Sequence, residues 1–299
     1  MKKDPLISVI IVCYNHSDYI EECLGSLLNQ TYSNWELIIA DDFSKDNSTH
    51  VIENWLNQHN VKAEKIFHTK NIGLCNTLNE CIKLSVGEYI KIIAADDFMD
   101  PNLFLKLLNK FKELPEEYKL VYSNASFIDE KGNIGGNLLF KNFGFDKNRI
   151  RDILFQNNIV IALTTLVKKE VYEKIGTYNT EYFVEDYEFL LRYSKYYKFD
   201  YVDEVLGYYR QHANNLSKNE KMDTEIVRIK IYNDKNGDYA QIISKNMVEL
   251  YRRNYVDSTL IKEYKNYKGK KNILYYFMKF KVPYQIYNLK NKILYRKSL

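Results

Sequence analysis

Cysteine is scarce and unpaired in this sequence. The four present, Cys13, Cys23, Cys75 and Cys81, form no Cys-x-x-Cys pair and no Cys/His metal spacing. That argues against a disulfide framework or a zinc module and points to free thiols in a reducing cytoplasm. No long apolar run is present either. The longest, LISVIIVCY, is under half of the roughly 20 residues that cross a bilayer. MKK in front of it mimics a signal peptide, but Asp4–Pro5 interrupts the pattern and no small-residue cleavage site follows. A third absence concerns phosphate binding. Neither G-x-G-x-x-G nor G-x-x-x-x-G-K-[ST] follows the first apolar run. A nucleotide bound here could not rest its phosphates on a glycine-rich helix start, so another group must neutralise them.

What is present is ample apolar material, 45% of 299 residues. That is enough for one large domain with an appendage, or for two domains. LISVIIVCY reads as a strand buried on both faces. Ile20, Cys23, Leu24, Leu27 and Leu28 follow at helical spacing. WELIIA, VKAEKIFH, EYIKIIA and KLVYSNASFI read as further strands. Helices fall between them at Val51–Leu56, Leu74–Ile82 and PNLFLKLLNKF. Strands alternating with helices predict an α/β fold with a mostly parallel sheet covered on both faces. Such sheets bind ligands beyond the carboxyl ends of their strands.

Two stretches there share a pattern, LIIADDFSKD and KIIAADDFMD. Asp46 and Asp100 fit helix-start positions, where a carboxylate accepts free backbone N–H groups. The doublets Asp41–Asp42 and Asp96–Asp97 remain. Adjacent carboxylates repel, and a cap needs only one. Paired acids can hold a divalent cation, because Mg²⁺ and Mn²⁺ favour oxygen ligands and bind carboxylates together with substrate phosphates.

PLISVIIVCYNHSDYIEECLGSLLNQTYSNWELIIADDFSKDNS resembles the opening of the family 2 glycosyltransferases. NIGLCNTLN, GEYIKIIAADDFMDP, EDYEFLLRYSKY and GYYRQHANNLS resemble later motifs of that family, in order, across roughly residues 5–217. The resemblance implies a GT-A fold, a Rossmann-like αβα sandwich, over residues 1–218; beyond it, residues 219–299 read from their own pattern as a helical basic appendage. The resemblance implies an inverting transfer of sugar from a nucleotide-diphosphate donor, UDP foremost, to a glycan or lipid-linked hydroxyl. It also implies Mn²⁺ or Mg²⁺ as cofactor. Val12 and Tyr14 would line the base pocket, and Asp42 would bond the base. A carboxylate accepts from the N3–H of uracil or thymine, or the N1–H of guanine, and offers nothing to adenine N1. Ala95-Asp96-Asp97 takes the place of the D-x-D signature, with Asp97 as metal ligand and Asp96 facing sugar or ribose. Asp186 would be the catalytic base, and Arg210 and His212 would meet the diphosphate or complete the metal shell. Asn71 and Gly73 match the family pattern. Leu78 stands where related sequences carry arginine, and it brings no charge to a donor.

The net charge of +4 is unevenly spread. Residues 262–299 carry 11 Lys/Arg and one acid, Glu263, leaving −6 on the other 261 residues. The tail KGKKNILYYFMKFKVPYQIYNLKNKILYRKSL interleaves cations with apolar side chains. It reads either as a packed helical appendage or as an anchor on the anionic inner face of the cytoplasmic membrane. Nucleic acid is not expected, since the cations are confined to the tail and no nucleic-acid motif occurs. Two other functions are compatible with parts of the pattern. A nucleotidyltransferase would need a Gly-rich, basic loop after the first strand, and CYNHSDY has neither. A non-catalytic sugar-nucleotide-binding or scaffold protein would not need Asp42, Asp97 and Asp186 together.

Overall fold

The computed structural model describes residues 4–139, 145–267 and 273–288. They fall into two compact units, Met1–Asn215 and Leu216–Leu299.

The first unit is built on one sheet. Strand β1 (Ile7–Cys13) is buried at every position, as its unbroken apolar run requires. It lies between β2 (Trp35–Asp41) and β4 (Tyr89–Ala94), parallel to both, and β3 (Ala63–Phe67) adds to β2 in parallel. Ile7, Val9, Ile11 and Cys13 alternate onto one face. There they pack with α1 (Ile20–Leu28), α2 (Ser48–Gln58) and α4 (Leu103–Glu113), chiefly through Leu24, Leu27, Trp55, Phe104 and Leu107. Helix α3 (Leu74–Leu84) also packs on β1 and β2. The turn into β4 runs so close to β1 that a Cβ on Gly87 would lie 2.7 Å from both Leu6 O and Ser8 N.

The second half of the sheet departs from a simple parallel array. The order is β3-β2-β1-β4-β8-β6-β9-β5. Strand β6 (Tyr118–Ile128) does not follow β4 directly. Strand β8 (Leu166–Lys168) lies between them, antiparallel to both. Strand β9 (Lys198–Arg210) runs parallel to β6, and β5 (Phe98–Met99) is antiparallel to β9. β7 (Ile134–Leu138) pairs with β6 off the main path. β5 and β8 have two and three residues. Runs that short carry no readable alternation, so the sequence does not announce them. Three further helices, α5 (Ile150–Gln156), α6 (Glu170–Ile175) and α7 (Glu185–Tyr193), complete this unit.

The second unit is helical, with α8 (Met222–Asn233), α9 (Ala240–Arg252), α10 (Ser258–Asn266) and α11 (Ile273–Lys279). The break at Asn236-Gly237 falls between α8 and α9. Buried Asp234 fills it, accepting the N–H groups of Gly237, Asp238 and Tyr239. Parts of the basic tail, residues 268–272 and 289–299, lie outside the described residues.

Candidate active site

The strand order makes the tips of β2, β1 and β4 neighbours. Cys13 pairs with Asp41, and Val12 with Ala94. The ladder continues one step beyond each strand, through Asp42 N–H to Cys13 O (3.0 Å) and Ala95 N–H to Val12 O (2.9 Å). Both acid doublets therefore flank the end of β1.

The loops leaving β1 and β2 are sewn together. Asn15 adopts φ +59° and Phe43 φ +68°, so both sit in the left-handed region. That conformation is unfavourable for a side chain as bulky as Phe43. Asn15 N–H donates to Ser44 Oγ (2.8 Å), and Lys45 N–H to Asn15 Oδ1 (2.6 Å). Asp46 accepts from Ser17 N–H and Ser48 N–H, both at 3.0 Å. Asp100 does the same for Asn102 N–H (2.8 Å), and α4 begins at Leu103, two residues past Pro101. Asp41 is turned inward, where it accepts Ser44 N–H at 2.9 Å and the Ser44 hydroxyl. Tyr14 stands at the mouth, 45% exposed, while Val12 is buried.

Asp42 organises the loop after β3. Its Oδ1 accepts Ile72 N–H (2.9 Å) and faces His68 Nδ1 (3.0 Å), and its Oδ2 accepts Gly73 N–H (2.9 Å). The Asn71 side-chain amide donates to Asp42 O (3.1 Å). Gly73 has φ +88°, which glycine adopts freely and which turns the chain into α3. Asn71 and Gly73 are thus joined to Asp42. Leu78 is buried in α3.

The second doublet divides its labour. Asp97 is buried, and its Oδ1 accepts the backbone N–H of Arg210 (2.9 Å). Burial, then the neighbouring Asp96, pushes its carboxyl well above the usual range, against the pull of Lys91 and Arg210. Arg210 is itself only 1% exposed. Its guanidinium donates to Asp96 O (2.8 Å), to Asp129 O and Glu130 O (3.1 Å each), and to Glu22. It also lies 4.9 Å over the Tyr19 ring. An arginine so engaged holds the acid pair in place and has little left for a diphosphate.

Asp96 faces a different group. Its Oδ2 lies 2.9 Å from His212 Nε2 and 3.8 Å from His16 Nε2. One ligand atom from each of the three side chains lies within 4.8 Å of the others. His212 Nδ1 accepts Asn214 N–H (3.2 Å), so Nε2 carries the proton and donates to Asp96. Tyr19 stacks on the His212 ring at 5.3 Å. Two buried atoms in this cluster, Asp96 Oδ1 and His16 Nδ1, have no hydrogen-bond partner among the described residues. Leaving such atoms unpaired is costly, and desolvation holds the His16 imidazole below its ordinary pKa. Two imidazoles and a carboxylate suit a divalent transition metal better than Mg²⁺, which prefers oxygen. Binding one through His212 Nε2 would move that proton to Nδ1 and break the Asn214 contact.

Asp186 lies in the first turn of α7. Its Oδ1 accepts Tyr187 N–H (2.6 Å), and the Asn158 amide reaches Oδ2 at 3.4 Å. Burial raises its pKa, as burial and Asp186 together raise that of Glu185.

Three residues here escaped the sequence reading. His16 lies in the polar stretch after the first strand, and His68 ends the VKAEKIFH strand, so neither belongs to a local motif. Asn158 sits in a segment with no readable code. The available signal was scarcity: the chain has five histidines, and His16 follows the buried β1 while His68 directly follows the partly exposed β3.

The sheet, with paired acids at its strand tips, defines the class as a glycosyltransferase of the GT-A fold. Among solved structures the chain is similar to Staphylococcus aureus TarS in complex with UDP-GlcNAc, with a TM-score of 0.62, 17% identity, and 87% of this chain and 80% of that one covered. It is also similar to the mannosyltransferase PcManGT of Pyrobaculum calidifontis, solved with GDP-Man and Mn²⁺, with a TM-score of 0.58, 14% identity, and 96% and 84% covered. The chain belongs to glycosyl transferase family 2, whose family model matches residues 8–176. An uncharacterized glycosyltransferase of Methanocaldococcus jannaschii is 29% identical over 224 residues, 73% of this chain and 75% of that protein.

Proposed function

We propose that this glycosyltransferase moves a sugar from a nucleotide-diphosphate donor, UDP-linked foremost, to a hydroxyl on a glycan or lipid-linked acceptor, with inversion at the anomeric carbon. The observation that carries the reading is the Asp96–His16–His212 cluster with its orphaned carboxylate oxygen, at a strand tip beside the Asp42 loop. One cluster would hold the diphosphate end of a donor, and the other its base.

The residue roles follow the geometry. Asp42 uses three of its roughly four acceptor positions internally, leaving one on Oδ2 for an imide N–H of the base. Exposed Tyr14 would lie against the heterocycle, with Val12 beneath. Asp96, His16 and His212 would hold a divalent cation, Mn²⁺ in preference to Mg²⁺. When bound, the cation would offset charge developing on the departing diphosphate. The reading places the metal-ligand role on Asp96 rather than Asp97, because Asp96 stands with two imidazoles while Asp97 Oδ1 accepts the Arg210 N–H. Arg210 is a positioning residue. Asp186 takes the proton from the acceptor hydroxyl as its oxygen attacks the anomeric carbon. Its raised pKa makes it a stronger base than an ordinary carboxylate. UDP-GlcNAc bound to TarS and GDP-Man with Mn²⁺ bound to PcManGT support this class of donor.

A thermal-shift panel of UDP-, GDP- and dTDP-sugars tests the reading. Bound ligand raises apparent stability by mass action. At least one UDP-sugar should raise Tm with Mn²⁺ and much less with EDTA. No shift with any uracil, thymine or guanine donor would reject the proposal.

The acceptor reading includes a membrane surface. No helix among the described residues is long and apolar enough to cross a membrane. Tyr276, Phe280 and Ile286 are exposed among Lys279 and Lys281. Apolar side chains flanked by cations suit an anionic interface. Replacing Lys279 and Lys281 with Glu should weaken binding to phosphatidylserine vesicles at low salt at least tenfold, at about 1 kcal/mol per cation. Unchanged co-sedimentation would leave the appendage as packing alone.

A further inference from the structure

His68 stands between two acids. Nδ1 lies 3.0 Å from Asp42 Oδ1, and Nε2 lies 3.1 Å from Glu80 Oε2. A neutral imidazole has one donor and one acceptor, so one lone pair would face a carboxylate. The imidazolium donates at both ends. His68 and Asp42 are largely sequestered, their side chains 12% and 8% exposed, whereas Glu80 is 49% exposed. His68 is fixed at the end of β3, where its backbone N–H donates to Asp41 O (3.0 Å). Asp42 and Glu80 are the charged groups facing it, from the end of β2 and from α3. Both raise its pKa above the ordinary value, against desolvation.

We infer that His68 is a specificity-setting and positioning residue for the donor: as an imidazolium it neutralises Asp42, fixes which carboxylate oxygen is presented to the nucleobase, and makes donor binding depend on pH. This rests on the reading of Asp42 as the base acceptor. With Oδ1 committed to Ile72 and His68, the free acceptor position lies on Oδ2. A single fixed acceptor selects one imide N–H. Loss of the His68 proton leaves Asp42 as an uncompensated anion. That charge faces the carbonyl oxygens flanking the imide and repels an anionic donor. Glu80 does not touch the base. Its part is to keep the proton on His68.

The sign follows from the direction of the shift. A raised pKa means the imidazolium is present below that value and is lost as pH rises through it. Donor affinity should therefore fall with rising pH, by roughly threefold to tenfold for one charge at this range. Glu80→Gln removes one acid partner, so the fall should begin at lower pH. His68→Gln retains a single amide donor and should bind more weakly at low pH, with this step flattened.

The experiment is calorimetric titration of UDP with Mn²⁺ into wild type, Glu80→Gln, His68→Gln and Asp42→Asn from pH 5.5 to 9, a range set by the ordinary imidazole value near ~6.5. Dividing each variant's profile by wild type cancels the titration of the diphosphate and of every protein group that the variants share. A displaced step in Glu80→Gln and a flattened one in His68→Gln support the inference. Superimposable profiles in wild type and Glu80→Gln overturn it, and Glu80 is exposed enough for that variant to fold. UDP affinity unaltered in Asp42→Asn would instead overturn the base-pocket reading itself. A ring-proton NMR titration of His68 gives a second readout. It should show an apparent pKa above the ordinary imidazole value near ~6.5, and a drop in Glu80→Gln.

Discussion

Asp96→Ala should lose Mn²⁺-dependent donor binding and with it nearly all transfer. The substitution removes the carboxylate around which His16 and His212 gather, and with it the one anionic ligand of the set. Two imidazoles alone neither offset the cation's charge nor close its shell. A fall of at least 10²-fold in kcat/KM is expected, of the order seen when charge stabilisation at a leaving group is removed. Asp97→Asn is the informative contrast. An amide oxygen can still accept the Arg210 N–H, so the loop should keep its shape and Mn²⁺ dependence should survive. If Asp97→Asn abolishes the metal response and Asp96→Ala preserves it, the assignment between the two acids is reversed. Isothermal titration of Mn²⁺ in the presence of UDP distinguishes these outcomes without turnover.

Asp186→Asn should leave donor affinity within about twofold and cut turnover by ~10²–10⁴, the usual worth of a positioned base. The near-isosteric amide keeps the α7 start intact but cannot take a proton. Wild-type kcat should rise with pH on its acid side, because the base works only when ionised. Since burial raises the Asp186 pKa, that limb should lie above the ordinary carboxylate range. The limb should disappear in the residual activity of Asp186→Asn. An unchanged acid limb would assign it to another group, and full turnover in the variant would remove Asp186 from the chemistry. Glu185 next door is also shifted upward, to about 8, so Glu185→Gln is the control and should leave the limb in place, because burial and not Glu185 raises Asp186.

The parallel half of the fold was legible because its signals are local. LISVIIVCY can only be buried on both faces, and turn residues mark each exit into an amphipathic helix. The mixed half was legible only in part: KLVYSNASFI shows as a strand, but its pairing does not. β8 places three residues between β4 and β6, and that pairing is decided by tertiary packing rather than by any pattern in LVK. The site divides in the same way. Both doublets were visible as paired acids at strand ends, but their internal assignment was not. How Asp97 is turned depends on where the Arg210 N–H arrives from β9, a contact 113 residues away. The charge of Arg210 is visible in sequence. Its four internal acceptors, brought from α1, the 96–97 turn and the 129–130 turn, are not. His16 and His68 gain meaning only from neighbours remote in the chain.

The four thiols have a practical consequence. Cys13, Cys23, Cys75 and Cys81 are all buried, and burial pushes Cys13 and Cys81 up to about 12 and Cys23 well above its usual value. Alkylating reagents need both access and thiolate, so the native chain is silent toward maleimides. A single cysteine introduced on an exposed helix position could therefore carry a fluorophore with no background labelling. The native thiols would meanwhile serve as an internal clock for opening of the sheet.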